Sequence, residues 1–269
     1  MSTATLPLAT RLDSTFARTL RIFLSETRYE LVRSLRTRTF SLSAIGFPVM
    51  FYALFGIMMN RHDLIHGAPV PRIMLASYAA FGVVGAALFG IGVGLAGDLS
   101  AGWLELKRAS PMPPAAYLAA KCVTAMVFGG IILTLLCALG ITAGGVHLSL
   151  GEYGRLLSLV AAGAIPFASM GLAIALIVPF NSAPGVTNLL YLPLSFLGGL
   201  WIPLALLPKA VRHIAPALPT YHLSQLMLGV FGYQDPKHTT ASHWLGLLGF
   251  TLLMFGIAWV AFRRREQNA

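Results

Sequence analysis

The stretch GWLELKRASPMPPAAYLAAK, Gly102 to Lys121, stands between two runs of hydrocarbon side chains and reads like neither. It holds Glu105, Lys107, Arg108 and Lys121 together with Pro111, Pro113 and Pro114, while Ile73–Gly97 before it and Cys122–Gly151 after it carry no charge. A bilayer core takes about 20 consecutive apolar residues per helix, and each of these runs is long enough. The polar stretch is therefore a loop between two membrane-crossing helices, and its place fixes how the rest of the chain divides.

Composition agrees. Of the 269 residues 57% are hydrophobic and only 10% charged, against about 25% charged in a soluble globular domain. The net charge of +10 comes from basic residues that flank apolar runs and form no single patch. No nucleic-acid-binding module is recognisable, so the expected partner is the lipid bilayer and not nucleic acid. Cys122 and Cys137 lie within one apolar run without metal-ligand spacing and read as buried, reduced thiols. The first thirty residues hold several arginines and no apolar core of a signal peptide, so no cleavable signal peptide is expected.

Besides the two runs beside the loop, Thr39–Asn60, Leu156–Pro208 and His238–Phe262 are free of charge. The run Leu156–Pro208 has 53 residues, roughly 80 Å as one helix and far too long to cross once. It divides at PFNSAPG, Pro179–Gly185, where an Asn-Ser pair and two prolines make a turn. The expected fold is an all-α polytopic membrane protein. Residues 1–38 form a cytoplasmic tail and interface helix, and 39–269 form a six-span domain with spans near 40–59, 73–96, 122–145, 156–179, 185–206 and 243–262. With the N-terminus inside, thirteen Lys and Arg fall on the cytoplasmic side and six outside, which obeys the positive-inside rule and puts both termini in the cytoplasm.

Ser14–Arg38 places Phe16, Leu20, Phe23, Leu24, Leu31 and Leu35 at helical spacing, with most of its arginines elsewhere around the wheel. That is an amphipathic helix suited to the inner membrane surface. In the second span Gly82, Ala86, Gly90 and Gly94 recur every fourth position, a small-residue stripe expected to seat another helix of the same bundle.

What is missing narrows the function. None of the proposed spans contains Asp, Glu, Lys or Arg, whereas ion-driven carriers usually keep ionisable groups or broken helices at mid-membrane. Asn188, Thr187, Ser195 and Ser169 are the neutral polar candidates within the spans. No GxxxxGK[ST] phosphate loop and no HExxH zinc motif occurs, so the chain is not expected to be an enzyme or to hold a cofactor or metal. GLAGD, Gly94–Asp98, departs by one residue from the spacing of membrane aspartyl proteases and lacks a second membrane carboxylate. All seven histidines fall outside; His62 and His66 have i,i+4 spacing, but no further ligand completes a metal site.

A membrane machine with no energy source of its own must receive work through its cytoplasmic face, and segment 98–121 is the only inner loop of any size. WLELKR reads as a short helix with apolar knobs, Pro111, Pro113 and Pro114 as a rigid corner, and AAYLAAK as the start of the next helix.

This stretch resembles the signature loop of permease subunits of type-2 ABC exporters, commonly G-x-L-E-x-L-x-A-[ST]-P-x-x-P-x-x-[YL]-L-x-x-K. Gly102, Leu104, Glu105, Ala109, Ser110, Pro111, Pro114, Tyr117, Leu118 and Lys121 match it. A second resemblance, over Asn188–His222, is to the fifth span and outer re-entrant region of the same family, with Asn188, Pro193, Gly199, Pro203, Pro208, Pro216, Pro219 and His222 in register. Two departures stand out: the charged run that usually precedes the glycine is reduced to Asp98, and Ala120 replaces a frequent glycine.

The resemblance implies a permease working as a homodimer, or with a sister permease, on two separate ATP-binding subunits in a bacterial inner membrane. It implies that Gly102, Leu104, Glu105, Pro111, Pro114, Tyr117 and Lys121 belong to the ATPase-coupling loop, with the N-terminal helix beside it. It also implies that segment 198–219, with Gly199, Pro203, Pro208, Pro216 and Pro219, dips back into the outer leaflet as a gate. The uncharged spans fit export of a hydrophobic drug or lipid-like molecule. A lipo-oligosaccharide or polysaccharide is the alternative cargo, and an ion-coupled carrier or a non-transporting scaffold the alternative function.

Overall fold

The computed structural model describes residues 8–65, 67–102 and 114–267. Helix α1 runs Leu8–Arg36, and α2, Arg38–Phe51, continues as a wider π-turn over Tyr52–Met58. A short antiparallel pair, β1 (Leu64–Ile65) and β2 (Ala68–Pro69), leads into α3 (Val70–Ala87). A second π-turn, Leu88–Val93, joins α3 to α4 (Gly94–Ser100) without a break. Then come α5 (Pro114–Thr142), α6 (Leu150–Ile177), α7 (Ala183–Leu197), α8 (Lys209–Ile214), α9 (Pro219–Gly229) and α10 (Thr240–Gln267).

The helix ends follow local chemistry. The Ser149 hydroxyl accepts from the Glu152 amide while the Glu152 carboxylate accepts from the Ser149 amide, a reciprocal cap that starts α6. Prolines in the first turns of α3, α7 and α9 give up only amides that would be orphaned there anyway. The turn at PFNSAPG appears as a 3₁₀ turn over Phe180–Ser182, so the long apolar run divides where the sequence reading divides it.

Among the described residues, five helical stretches are long and apolar enough to cross a membrane: Arg38–Met58, Val70–Ser100, Ala116–Thr142, Leu150–Ile177 and Thr240–Arg265. Their burial sorts them, with 78% of the apolar window buried in Val70–Ser100 but 22% in Arg38–Met58 and 17% in Thr240–Arg265. The α3–α4 rod is thus the central post, while α2 and α10 present side chains such as Leu42, Phe47, Leu245, Leu252 and Trp259 outward. Small residues let neighbours close on the post. A Cβ at Gly82 would stand 2.6 Å from the Ile132 side chain of α5, and one at Gly171 of α6 would stand 3.0 Å from the Gly92 amide nitrogen. Gly90 faces Phe40 and Gly94 faces Lys121, so every glycine of the predicted small-residue stripe meets a side chain of this same chain.

The segment 185–206, expected as a full span, differs. Its helix, α7, has 15 residues, about 22 Å of rise against an apolar core of about 30 Å. It ends at Gly198, where Thr220 of α9 packs too closely for any Cβ and donates its hydroxyl hydrogen to the Leu194 carbonyl at 2.6 Å. Gly199 follows at φ +77°, a left-handed turn natural to glycine. Hydropathy stays high through this region, but the backbone cannot remain helical. Helices α6 and α10 run in the same direction: the Phe167 and Phe250 rings lie 6.2 Å apart, and further along both helices Ala173 and Leu176 pack with Ala258.

Candidate functional site

Where α4 ends and α5 begins, α1 crosses α5 and three elements bury charge together. Glu30 of α1, Asp98 of α4 and Lys121 of α5 are 5%, 3% and 3% exposed. The Lys121 ammonium pairs with Glu30 Oε1 and lies 3.0 Å from Asp98 Oδ2. Arg33, one turn beyond Glu30, donates to Asp98 Oδ1 at 2.8 Å and stands 3.9 Å from Glu30 Oε2. The Tyr117 hydroxyl donates to Asp98 Oδ2, and the Lys121 ammonium lies 5.1 Å from the centre of the Tyr117 ring.

Two carboxylates and two cations make the knot neutral, which is the condition under which buried charge is tolerated. Removing any of the three buried members, Glu30, Asp98 or Lys121, would leave an uncompensated charge and cost about 3–5 kcal/mol. Arg33 forms the wetter edge, with 42% of its side chain exposed. Burial pulls its guanidinium down, but the hydrogen bond and charge of Asp98, with the charge of Glu30, outweigh that and leave it above its ordinary value. Both carboxylates are matched by cations, so the arrangement is not a proton-sharing aspartyl pair. It fixes geometry: α1 cannot slide along α5 without parting Glu30 from Lys121.

Of the residues the sequence singled out, Tyr117 and Lys121 sit in this knot. Gly102 follows the end of α4 by two residues at φ +70°, and Pro114 is the first residue of α5. Leu104, Glu105 and Pro111 lie outside the described residues. The sequence reading missed Glu30 and Asp98 as partners of Lys121, and Arg33 as the second cation on Asp98. A usable signal existed: Glu30 is an acid in an arginine-rich helix that shares the apolar side with Phe23 and Leu31. The spans drawn from charge-free windows also stop short, because the helices run on to include Asp98 and Lys121 near their ends.

At the opposite end, Pro203 and Pro208 precede the 3₁₀ turn Leu204–Leu206 and α8, Pro216 lies in the 3₁₀ turn Ala215–Ala217, and Pro219 opens α9. The expected outer segment is thus a series of short proline-bounded turns, with Gly199 at its start. Arg72 of α3 pairs with Glu152 of α6 and lies 4.5 Å over the Phe231 ring, tying the far ends of two spans. His222 of α9 and His243 of α10 approach Nδ1 to Nδ1 at 3.0 Å, so one ring donates and the other accepts. The sequence offered His62 and His66 for their spacing; His66 lies outside the described residues, and the histidines brought together are 21 positions apart. Among the described residues no cluster of His, Cys, Asp and Glu is placed to hold a metal ion.

The family described as "ABC-2 type transporter" matches residues 22–232, which include the charge knot, the central post and the broken segment after α6. The chain belongs to the ABC-2 type transporter family. It is 28% identical over 244 residues to a protein of Bacillus subtilis (strain 168) named "Putative transport permease YvfS", a match covering 89% of this chain and 96% of that protein. Membership accounts for the multi-pass helical architecture and makes the chain a transport permease subunit, of a family that implies association with an ABC ATPase subunit. The ABC-2 match begins inside α1, so the helix carrying Glu30 and Arg33 is part of the family's own unit.

Proposed function

We propose that this ABC-2 permease is the membrane half of an ATP-driven exporter, moving a hydrophobic or amphipathic drug or lipid-like substrate out of the cytoplasm or the inner leaflet. Separate ATPase subunits, two per complex, supply the work, and a second copy or a sister permease completes the pathway. The observation that carries this reading is the knot of Glu30, Asp98 and Lys121, which joins α1 to the two helices, α4 and α5, that flank residues 102–114 in sequence. A push on that loop, or on α1, then reaches α3–α4 and α5 as one rigid unit.

In this reading the knot end faces the cytoplasm and both chain termini lie there, in a bacterial inner membrane. Because α6 and α10 run in parallel, residues 178–239 carry the chain back across, with α7 and α9 as two part-length helices of a sixth passage. Backbone groups freed between them are sheltered by protein, as irregular backbone at membrane depth requires; the Tyr78 hydroxyl, for example, donates to the Trp201 carbonyl at 3.1 Å.

The test is a mild-detergent pull-down of the tagged chain from its native membranes, beside a version with residues 102–114 replaced by a Gly/Ser linker. An ATPase subunit accompanying the first and lost from the second is expected. Absence of any ATPase from both would contradict the reading.

A further inference from the structure

The end of the molecule away from the knot contains a cleft of about 810 Å³, bounded by α3, α8, α9 and the 232–238 turn. Its floor is polar although the surrounding core is hydrocarbon. Ser77 of α3 lines it, is 3% exposed, and its hydroxyl has no hydrogen-bond partner among the described residues. Gln225 of α9 also lines it, and its Oε1 accepts the Asp235 amide hydrogen at 2.7 Å. That bond fixes the amide orientation, because a backbone N–H can only donate. The Gln225 Nε2 hydrogens are then left without a protein acceptor among the described residues, so floor and amide both offer donors.

The rim is predominantly basic, three cations against one acid. Lys209, Arg212 and Lys237 line the opening. The lining acid is Asp235, and its Oδ1 already accepts the Lys237 amide hydrogen at 3.0 Å. A buried unpartnered hydroxyl is a cost to the fold unless something fills it, and 810 Å³ lies in the range of pockets that hold a ligand of drug or headgroup size. Donors below and cations around the mouth select an anion.

We propose that this cleft binds a phosphate-type anionic group, with Ser77 and Gln225 donating to its oxygens and Lys209, Arg212 and Lys237 neutralising it. Two sources share this chemistry: the headgroup of an anionic lipid and a free phosphate. The site deepens the export reading only in position, since that reading places the cleft at the outer face, where a cargo leaves or a lipid regulates. Binding itself needs neither the ATPase nor transport.

The experiment uses the full-length chain in detergent, titrated separately with phosphatidylglycerol, phosphatidylcholine and inorganic phosphate, with bound molecules counted by native mass spectrometry. Phosphatidylglycerol is expected to bind at least about tenfold tighter than phosphatidylcholine, a factor equivalent to 1.4 kcal/mol. Lys209→Gln/Arg212→Gln/Lys237→Gln should abolish that preference, while Arg155→Gln, outside the cleft, should keep it. Binding of inorganic phosphate alone, lost in the same triple variant, identifies a free anion as the ligand and also upholds the site. Ser77→Ala should weaken anion binding yet raise the unfolding temperature in phosphate-free, lipid-poor detergent, because it removes an unpaired buried hydroxyl. Anion binding equal in wild type and both cleft variants, or no preference over phosphatidylcholine together with no phosphate binding, would overturn the proposal. Either failure leaves ATPase capture by the loop untouched, so it is distinguishable from failure of the export reading.

Discussion

Lys121 and Glu30, 91 residues apart in sequence, meet as a buried ion pair that locks the N-terminal helix to the start of α5. Asp98 on the other side of the same ammonium extends the lock to the central post. Lys121→Met keeps the aliphatic stem and strands two carboxylates, so it is expected to destabilise the chain by about 3–5 kcal/mol in detergent unfolding. Lys121→Met with Glu30→Gln should recover part of that loss, as a double-mutant cycle. Arg33→Gln, at the wetter edge, should cost no more than about 1 kcal/mol.

Tyr117→Phe removes one hydrogen bond to the Asp98 carboxylate and leaves the ring beside Lys121. A hydrogen bond to a charged group contributes about 1.5–3 kcal/mol, so this variant should lose less stability than Lys121→Met. Thermal unfolding of the two variants side by side checks the ranking.

Where α6 meets the post, a Cβ at Gly171 would lie 3.0 Å from the Gly92 amide nitrogen and 3.2 Å from the Ile91 Cβ, tighter than ordinary contact. Gly171→Val is expected to push α6 off the post at a cost of about 1–3 kcal/mol. At Gly249 of α10 a Cβ meets nothing within 4 Å. Gly249→Ala should therefore be neutral or stabilising by up to about 1 kcal/mol.

Orientation is open to direct labelling. In a Cys122→Ala/Cys137→Ala background, a membrane-impermeant maleimide added to intact cells should label Pro208→Cys and Arg155→Cys and spare Arg264→Cys. All three positions are exposed in the structure. The reverse pattern would invert the proposed topology.

Much of this fold was legible because lipid imposes a coarse rule. Charge-free windows located the long helices, and the proline–asparagine–serine turn divided the longest of them correctly. The same rule misjudged segment 185–206, because hydropathy does not register the Gly198–Gly199 break or the Thr220 side chain that closes on it. Tyr117 and Lys121 were visible as motif residues. Glu30 and Asp98 were not recognised as their partners, since helical periodicity says which face a residue occupies but not which helix lies opposite. The His222–His243 pair was hidden for the same reason: it forms between two helices, whereas the sequence drew notice only to a spacing within one.

In the proposed exporter the buried knot fixes the surface on which an ATPase subunit docks. The most direct test is the amount of ATPase subunit retained per permease in pull-downs of wild type, Lys121→Glu, and the exchange Glu30→Lys/Lys121→Glu, each first shown to be inserted and monodisperse. Loss of the ATPase from Lys121→Glu and its return in the exchanged pair are expected. Full retention by the single variant would show that docking does not depend on the knot.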